Sequence, residues 1–138
     1  MSHKIIGRYI KNINFAIPDP QTFFEMTDNI KNYKINIDIK SNQFKNNLIE
    51  IELSLSLVPT QNNFKKINTK ITYASIVELS GDFSDKKKIE RVILIDVPSE
   101  VYPDLRKIFI SIFESSGFKD INIEKNIDFK KLHSLKRN

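Results

Sequence analysis

Residues able to perform acid–base, nucleophilic or metal chemistry are scarce in this sequence. Its two histidines, His3 and His133, are separated by almost the whole chain, and it contains no cysteine. Thiolate nucleophiles, disulfides and cysteine-based zinc sites are therefore excluded. The glycines Gly7, Gly81 and Gly117 are too far apart in sequence to build a phosphate-binding loop. The sequence predicts a protein that is not an enzyme and that needs no metal or cofactor.

Carboxylates are present, but without the setting that acid–base catalysis requires. Glu50 and Glu52 alternate with Ile49, Ile51 and Leu53. This alternation is typical of a β-strand with one solvated face. We therefore interpret the two glutamates as surface residues of a strand.

The chain is basic, with a formal net charge of +5 and a pI near 9.3. Such a charge is compatible with nucleic-acid binding. However, 18 of the 22 basic residues are lysine, and lysine, isoleucine and asparagine together make up 55 of the 138 residues. These three amino acids have A/T-rich codons, so codon bias explains the lysines. A basic nucleic-acid-binding module remains an alternative hypothesis.

Length and composition indicate one folded unit. A chain of 138 residues suits a single domain, residues 1–138, and 40% hydrophobic residues with ten phenylalanines can fill its core. No window approaches the ~18 apolar residues of a membrane span, and the first residues lack the apolar run of a signal peptide. We expect a cytoplasmic protein that does not insert into membranes.

Alternating apolar and polar residues predict the strands that must position any site. The clearest alternation covers residues 33–40 and 48–57. A third strand begins near residue 67 and loses its alternation at 74–77, which predicts a bulge or a bend there. An earlier strand fits residues 4–17. Together these segments predict a four-stranded antiparallel meander sheet with one wet face.

The period becomes helical in the second half of the chain. A short helical segment near residues 85–92 precedes a long helix at about 99–116, for which Ser99 is a good N-cap. A last short helix is predicted at about residues 128–137. The predicted fold class is α+β, with the long helix of the C-terminal half packed on one face of the sheet.

The long helix carries more apolar surface than docking on a sheet requires. Val101, Leu105, Ile108 and Ile112 already form one stripe at helical spacing. A helix that is apolar around most of its circumference needs a second covering surface in a small protein, so we expect self-association. The candidate interface residues are Tyr102, Leu105, Phe109, Ile110, Ile112 and Phe113.

One apolar segment lies outside the predicted strands. Residues 23–30 contain two adjacent phenylalanines, a methionine and an isoleucine. An irregular segment of this kind either closes an edge of the core or lines a groove for a partner, and methionine is common where partners vary. Both interpretations stay open at this point.

Two blocks of the sequence resemble the bacterial export chaperones of the SecB family. Residues 9–18, YIKNINFAIP, are similar to the family's opening strand, an aromatic followed by K-D-x-S-F-E-x-P. Residues 89–106 and the pair Gly117-Phe118 resemble its P-x-x-L-F-P-x-A-R block and later G-F. Residues 121–132 resemble its closing L-x-L-x-P-x-x-F-x-x-L.

The resemblance implies a holdase that binds unfolded secretory precursors in surface grooves before their delivery to the translocase motor SecA. It also implies a homotetramer built as a dimer of dimers, and no cofactor. The candidate client-binding residues are Phe23, Phe24, Met26, Ile30, Tyr33, Ile76, Val77 and Phe83.

The chain departs from the family at the positions expected to dock SecA. Family members carry carboxylates there, whereas the corresponding residues are Asn12, Ala16 and Lys70. The expected docking surface therefore lacks its acidic groups. A SecB-like chaperone dedicated to a single client is a further alternative hypothesis.

Overall fold

The computed structural model describes residues 2–60, 68–81, 84–118, 121 and 123–137, which contain one sheet and several helices. The strands are β1 (Ser2–Ala16), β2 (Tyr33–Lys45), β3 (Leu48–Pro59) and β4 (Asn68–Ser80). The helices are α1 (Pro20–Asn29), α2 (Lys86–Arg91), α3 (Val97–Ser115) and α4 (Phe129–Arg137). A 3₁₀ turn, Ile30–Asn32, leads into β2, and a π-helical turn, Val92–Asp96, joins α2 to α3.

The four strands form one antiparallel sheet in the order β1-β4-β3-β2. Strands β2, β3 and β4 follow one another as a meander, and β1 pairs with the free edge of β4. Both β1 and β2 are therefore edge strands. The α+β class and the four-stranded antiparallel sheet predicted from the sequence are confirmed. The predicted meander holds only for β2, β3 and β4, because β1 pairs with β4 and not with β2.

The sheet has two different faces, because side chains alternate along each strand. In β2, β3 and β4 the odd-numbered residues point to the face that α3 covers, here called the helix face. The even-numbered residues point to the other face, here called the open face. Leu53, Leu55 and Ile71 on the helix face have no exposed surface, whereas Lys70 on the open face is exposed.

Helix α3 supplies the other half of the core. Leu105, Phe109 and Phe113 are fully buried and belong to the same apolar cluster as the leucines of β3. The rings of Phe109 and Phe113 lie 4.9 Å apart, and Phe15 of β1 meets Phe113 edge-on at 5.1 Å. The predicted docking of the long helix on one face of the sheet is confirmed.

Helix α1 was not predicted from the sequence, which suggested an irregular segment at residues 23–30. Asp19 is the N-cap, and its carboxylate accepts a hydrogen bond from the amide of Thr22 at 2.7 Å. Pro20 occupies the first helical position, where its missing N–H costs nothing. The Asp-Pro pair was thus a start signal for a helix.

The long helix begins earlier than its predicted N-cap. Ser99 lies inside the helix, and its hydroxyl donates to the carbonyl of Ile95 at 2.6 Å instead of capping an end. Pro98 has no N–H to donate to the preceding turn. A π-helical turn, which is wider than an α-helical turn, lies directly before this proline. The chain therefore stays helical although Pro98 donates no backbone hydrogen bond.

The bulge predicted at residues 74–77 is not in β4. The pairing of β4 with β3 keeps one register throughout, and the register shifts lie in the pairing of β1 with β4. The apolar pattern slips because Ser75, which is fully buried, takes a helix-face position while Ile76 points to the open face. The side-chain pattern was irregular although the backbone was not.

A charged cluster on the open face ties β1 to β3 and β2. The ammonium of Lys11 lies 2.8 Å from a carboxylate oxygen of Glu50 and 3.4 Å from one of Glu52. The hydroxyl of Tyr9 also donates to Glu50, and the amide of Asn42 donates to Glu52 at 3.0 Å. The hydrogen bonds from Lys11 and then from Tyr9 lower the pKa of Glu50.

This lowered pKa predicts a pH-dependent contribution to stability. Ionised Glu50 stabilises the fold at pH values above the unfolded-state pKa, and this contribution is lost as the pH falls through the folded-state pKa. Glu50→Gln should lower the free energy of unfolding at pH 7 by about 1 kcal/mol, and this difference from the parent chain should shrink towards zero in acid. Urea unfolding at a series of pH values and fixed protein concentration measures it.

Glu78→Gln is the matched control for this prediction. Glu78 is exposed on the same face and makes no ion pair within the described ranges. The Glu78→Gln substitution should leave the free energy of unfolding nearly unchanged at every pH. A Glu50→Gln difference that does not vary with pH would contradict the assigned role of the carboxylate.

Candidate binding groove

A groove of about 540 Å³ opens beside β2. One wall comes from the 3₁₀ turn and β2, with Ile30, Tyr33, Ile35 and Ile37. Leu57 of β3 lies at its base and pairs with Ile35 across the strands. This wall is apolar because the odd-numbered residues of β2 point to the helix face. Ile35 and Ile37 stay half-buried because β2 is an edge strand.

The opposite wall belongs to the connection between α3 and α4. Ile121, Ile123 and Ile127 line the groove from this side, together with Tyr102 of α3. Between residues 118 and 128 the described backbone is neither helix nor strand. Its polar groups must therefore find partners outside regular secondary structure.

Two side chains of α3 supply those partners, and we name this pair of anchors the clamp. Arg106 donates from Nε and Nη2 to the carbonyl of Ile123, at 3.1 and 3.0 Å. Tyr102 donates its hydroxyl to the carbonyl of Glu124 at 2.6 Å. Burial raises the pKa of Tyr102, so this hydroxyl stays protonated and remains a donor. The clamp fixes the second wall to the helix that forms the core.

Among the described residues that line the groove, three are charged, and all three are exposed. They are Lys31, Lys34 and Glu124. Burial, and secondarily the charge of Glu25, raises the pKa of Tyr33. Tyr33 is therefore neutral at physiological pH. The groove presents an uncharged apolar interior with charge confined to its edges.

The groove offers contact surface, not reactive groups. The described part of the chain contains no cluster of three or more metal-binding side chains. His133 lies 3.4 Å from Glu90, and His3 is in β1, so neither histidine lines the groove.

Two of the candidate client-binding residues, Ile30 and Tyr33, line the groove. Phe23 packs against Phe118, with ring centroids 5.2 Å apart, and Phe24 projects from α1 with 63% of its surface exposed. Met26 is buried in the core. The predicted segment therefore contributes more to the core edge than to the groove.

The remaining candidates lie elsewhere. Ile76 is half-buried on the open face, and Val77 is fully buried on the helix face. Phe83 lies outside the described residues. The isoleucines of the connection were not predicted as groove residues, because this segment has no sustained strand or helix period. Ile35 and Ile37 were predicted only as the apolar face of a half-buried strand.

The candidate oligomer-interface residues divide into two sets. Tyr102, Leu105, Phe109 and Phe113 are buried within the chain, because α3 docks through the face that carries them. Ile110 and Ile112 are half-buried and keep apolar surface available.

Strand β1 carries a second apolar surface that the sequence analysis did not select. Ile6, Ile10 and Ile13 are each nearly half exposed. They lie along an edge strand of the sheet. Together with Ile110 and Ile112 of α3, these residues leave apolar surface uncovered within the described part of the chain.

The three positions expected to dock SecA lie on one surface. Asn12 and Lys70 are exposed on the open face, where Lys70 pairs with Asn14 of β1. Ala16 is exposed at the end of β1 and pairs with Asn68. The structure thus brings together a neutral and basic patch at one end of the open face.

None of the helices among the described residues has the length and apolar character of a membrane span.

Comparisons with known proteins agree with this architecture. The family model described as preprotein translocase subunit SecB matches residues 1–138. A putative protein-export protein SecB of Pelagibacter ubique (strain HTCC1062) is 42% identical over 137 residues, which cover 99% of this chain and 98% of that protein. The protein-export protein SecB of Orientia tsutsugamushi (strain Boryong) is 29% identical over 130 residues, covering 93% and 79% of the two chains.

A solved structure shares the fold at low sequence identity. It is a SecB-like chaperone of Mycobacterium tuberculosis in complex with a peptide from an antitoxin, with a TM-score of 0.57 and 10% identity. The match covers 88% of this chain and 89% of that one. With the family match over the whole length, these findings show that the chain belongs to the SecB family of export chaperones.

Proposed function

We propose that this chain is a holdase that binds unfolded precursor polypeptides and keeps them competent for Sec-dependent export. The observation that carries the proposal is the groove beside β2, with walls of isoleucine and tyrosine and no reactive group. Unfolded precursors expose the apolar segments that such a groove accepts. Membership of the SecB family supports the link to export.

The free energy of binding that such a groove can supply is large enough to hold a client segment and small enough to let it dissociate. Burying about 600 Å² of apolar client surface yields roughly 15 kcal/mol. The loss of translational freedom and the ordering of the client consume about half of this. Binding of one segment is then about micromolar. Several grooves in one assembly raise the overall affinity through effective concentration, while each contact remains easy to break.

We also propose that the chain works as a homotetramer, a dimer of dimers. The exposed isoleucines of β1 and the half-buried Ile110 and Ile112 of α3 support this, since apolar surface on an edge strand and on the principal helix invites a second copy. A tetramer would join four grooves in one particle.

SecA is the proposed recipient of the client, in the cytoplasm. The patch formed by Asn12, Ala16 and Lys70 bears no carboxylate, so a basic docking segment would find no ionic partner at these three positions. Delivery to SecA would then depend on other contacts.

A chaperone dedicated to one client is the second candidate function. The observation that favours it is the solved SecB-like chaperone that holds an antitoxin peptide. A general holdase should slow the aggregation of several unrelated denatured proteins, whereas a dedicated one should protect a single client.

Groove lining predicts which substitutions weaken client binding. Ile35→Ala removes apolar contact area from the β2 wall, and we expect affinity for an unfolded polypeptide to fall about fivefold to tenfold. Fluorescence anisotropy with a labelled unfolded polypeptide measures this. Ile76→Ala is the matched control, because Ile76 is also a half-buried strand isoleucine but lies on the open face. Equal losses in both variants would contradict binding in the groove.

The clamp predicts that affinity depends on residues that do not touch the client. Arg106→Met keeps the apolar stem but removes the donors to the Ile123 carbonyl, so the connection should lose protection from hydrogen exchange. We expect affinity for the unfolded polypeptide to fall about threefold to tenfold with a small change in thermal stability. Arg91→Met, an exposed arginine on α2, is the control. Unchanged hydrogen exchange throughout the connection would contradict the clamp.

The proposed homotetramer should have a mass of about 64 kDa by light scattering, which is four times the mass of the 16.1 kDa chain. Ile10→Asp places a charge on the exposed apolar strip of β1 and should shift the mass towards smaller species. Lys4→Asp, a charge change on the same strand at the open face, should leave it unchanged. A parent chain that stays at the monomer mass across the micromolar range would contradict the tetramer.

A further inference from the structure

Strand β2 pairs with β3 along its inner edge only, and the hydrogen bonds of the sheet show which backbone groups lie on its outer edge. The amide of Thr60 donates to the carbonyl of Asn32 at 2.8 Å, at the position where the pairing of β2 with β3 begins. In an antiparallel pair, every second residue bonds to the neighbouring strand. The even-numbered residues of β2, up to Asn42, therefore bond to β3.

Two hydrogen bonds elsewhere in the sheet agree with this alternation. The amide of Leu57 donates to the hydroxyl of Thr69 on β4 at 3.1 Å. The amide of Leu79 on β4 donates to the carbonyl of Asn47, in the turn before β3, at 2.8 Å. Odd-numbered residues on this side of the hairpin thus face β4, and the even-numbered residues of β3 face β2. The odd-numbered residues of β2 consequently direct their N–H and C=O groups away from the sheet.

Ile39 and Ser41 lie on this outer edge just beyond the groove. The groove is lined by β2 as far as Ile37, and Ile39 follows two residues later on the same face of the sheet. Within the described part of the chain, the backbone groups of Ile39 and Ser41 make no hydrogen bond. These two residues therefore offer two backbone donors and two backbone acceptors beside the groove.

The opposite edge of the sheet, formed by β1, is less suited to an added strand. The pairing of β1 with β4 shifts its register twice. Such irregularities disturb the even spacing of backbone groups, and they are a common protection of edge strands. The pairing of β2 with β3, in contrast, keeps one register from Tyr33 to Gln43. Strand β2 therefore presents the more regular row of donors and acceptors.

Resting on the holdase function proposed above, we propose that a client segment leaving the groove joins the sheet as a fifth strand, paired with Ile39 and Ser41 of β2. An unfolded polypeptide suits this edge because each of its residues except proline brings one N–H and one C=O. Every second side chain of the added strand points to the helix face, where it extends the apolar contact with Ile35 and Ile37. Backbone pairing does not depend on side-chain identity, so it suits a chaperone that holds many sequences.

Backbone N-methylation of a peptide tests the pairing. A labelled peptide that alternates aliphatic and polar residues has a fixed face for each residue. One derivative is N-methylated at its aliphatic residues and the other at its polar residues. In an added strand only one of these sets donates to β2, so one derivative should bind about tenfold more weakly than the parent peptide and the other about equally. Fluorescence anisotropy measures the three dissociation constants.

Hydrogen exchange, followed by NMR, locates the pairing on β2. The amides of Ile39 and Ser41 should exchange quickly in the free protein, because they lie on the outer edge. The amides of Lys40 and Asn42 should exchange slowly, because they bond to β3. A saturating concentration of the parent peptide should slow exchange at Ile39 and Ser41 by about tenfold or more and leave the two even-numbered amides nearly unchanged.

A proline on the outer edge tests the pairing from the side of the protein. Ser41→Pro removes one outward N–H without removing a bond to β3, and proline is tolerated at such positions of an edge strand. This variant should bind the parent peptide about threefold to tenfold more weakly. Ser41→Ala is the matched control, because it removes the same hydroxyl but keeps the N–H, and it should bind like the parent chain.

The outcomes separate this inference from the function on which it rests. Equal effects of the two methylation patterns, or unchanged exchange at Ile39 and Ser41, overturn the added strand and leave the holdase function standing. A lower particle mass of Ser41→Pro without peptide also overturns it, because the edge would then pair with a second copy. Failure of the unmethylated peptide and of an unfolded protein to bind overturns the holdase function itself.

Discussion

The packing of α3 against the helix face of the sheet is the contact on which the other features of this chain depend. Phe109 and Phe113 are fully buried there between β3, β4 and the aromatic side chain of Phe15. The same helix carries Tyr102 and Arg106, whose donors hold the connection that walls the groove. Core and groove are therefore coupled, since a shift of α3 relative to the sheet would move the wall anchored to α3 away from the wall on β2.

The sheet is wider than the helix that packs on it, and this difference in width leaves apolar surface uncovered at the edges of the sheet. Four strands at about 4.8 Å spacing make a sheet roughly 15 to 19 Å across, whereas one helix covers about 10 Å. Helix α3 packs over the central strands β3 and β4, so both edge strands keep half-covered isoleucines. At β2 the connection after α3 narrows the gap into a groove, and at β1 the strip of Ile6, Ile10 and Ile13 remains exposed. One geometric constraint thus leaves apolar surface at both edges of the sheet, where we propose that a client and a second copy bind.

The sequence predicted the elements whose periodicity is enforced by burial. Strands β2 and β3 alternate cleanly and α3 carries a stripe at helical spacing, because one face of each must be apolar. Helix α1 was missed because the adjacent Phe23 and Phe24 obscured a start signal at Asp19-Pro20. The second wall of the groove could not be predicted, since an irregular segment has no period and its position depends on hydrogen bonds from residues in another element. Ser75 shows the converse case, where an irregular pattern accompanied a regular strand.

Two carboxylates of the open face already have partners. Glu50 and Glu52 are held by Lys11 and Asn42, so a basic partner must compete with groups that are already in place. Breaking an existing pair cancels most of the gain from forming a new one, because exposed pairs are each worth little. A basic partner on the open face therefore gains little net free energy from these two carboxylates.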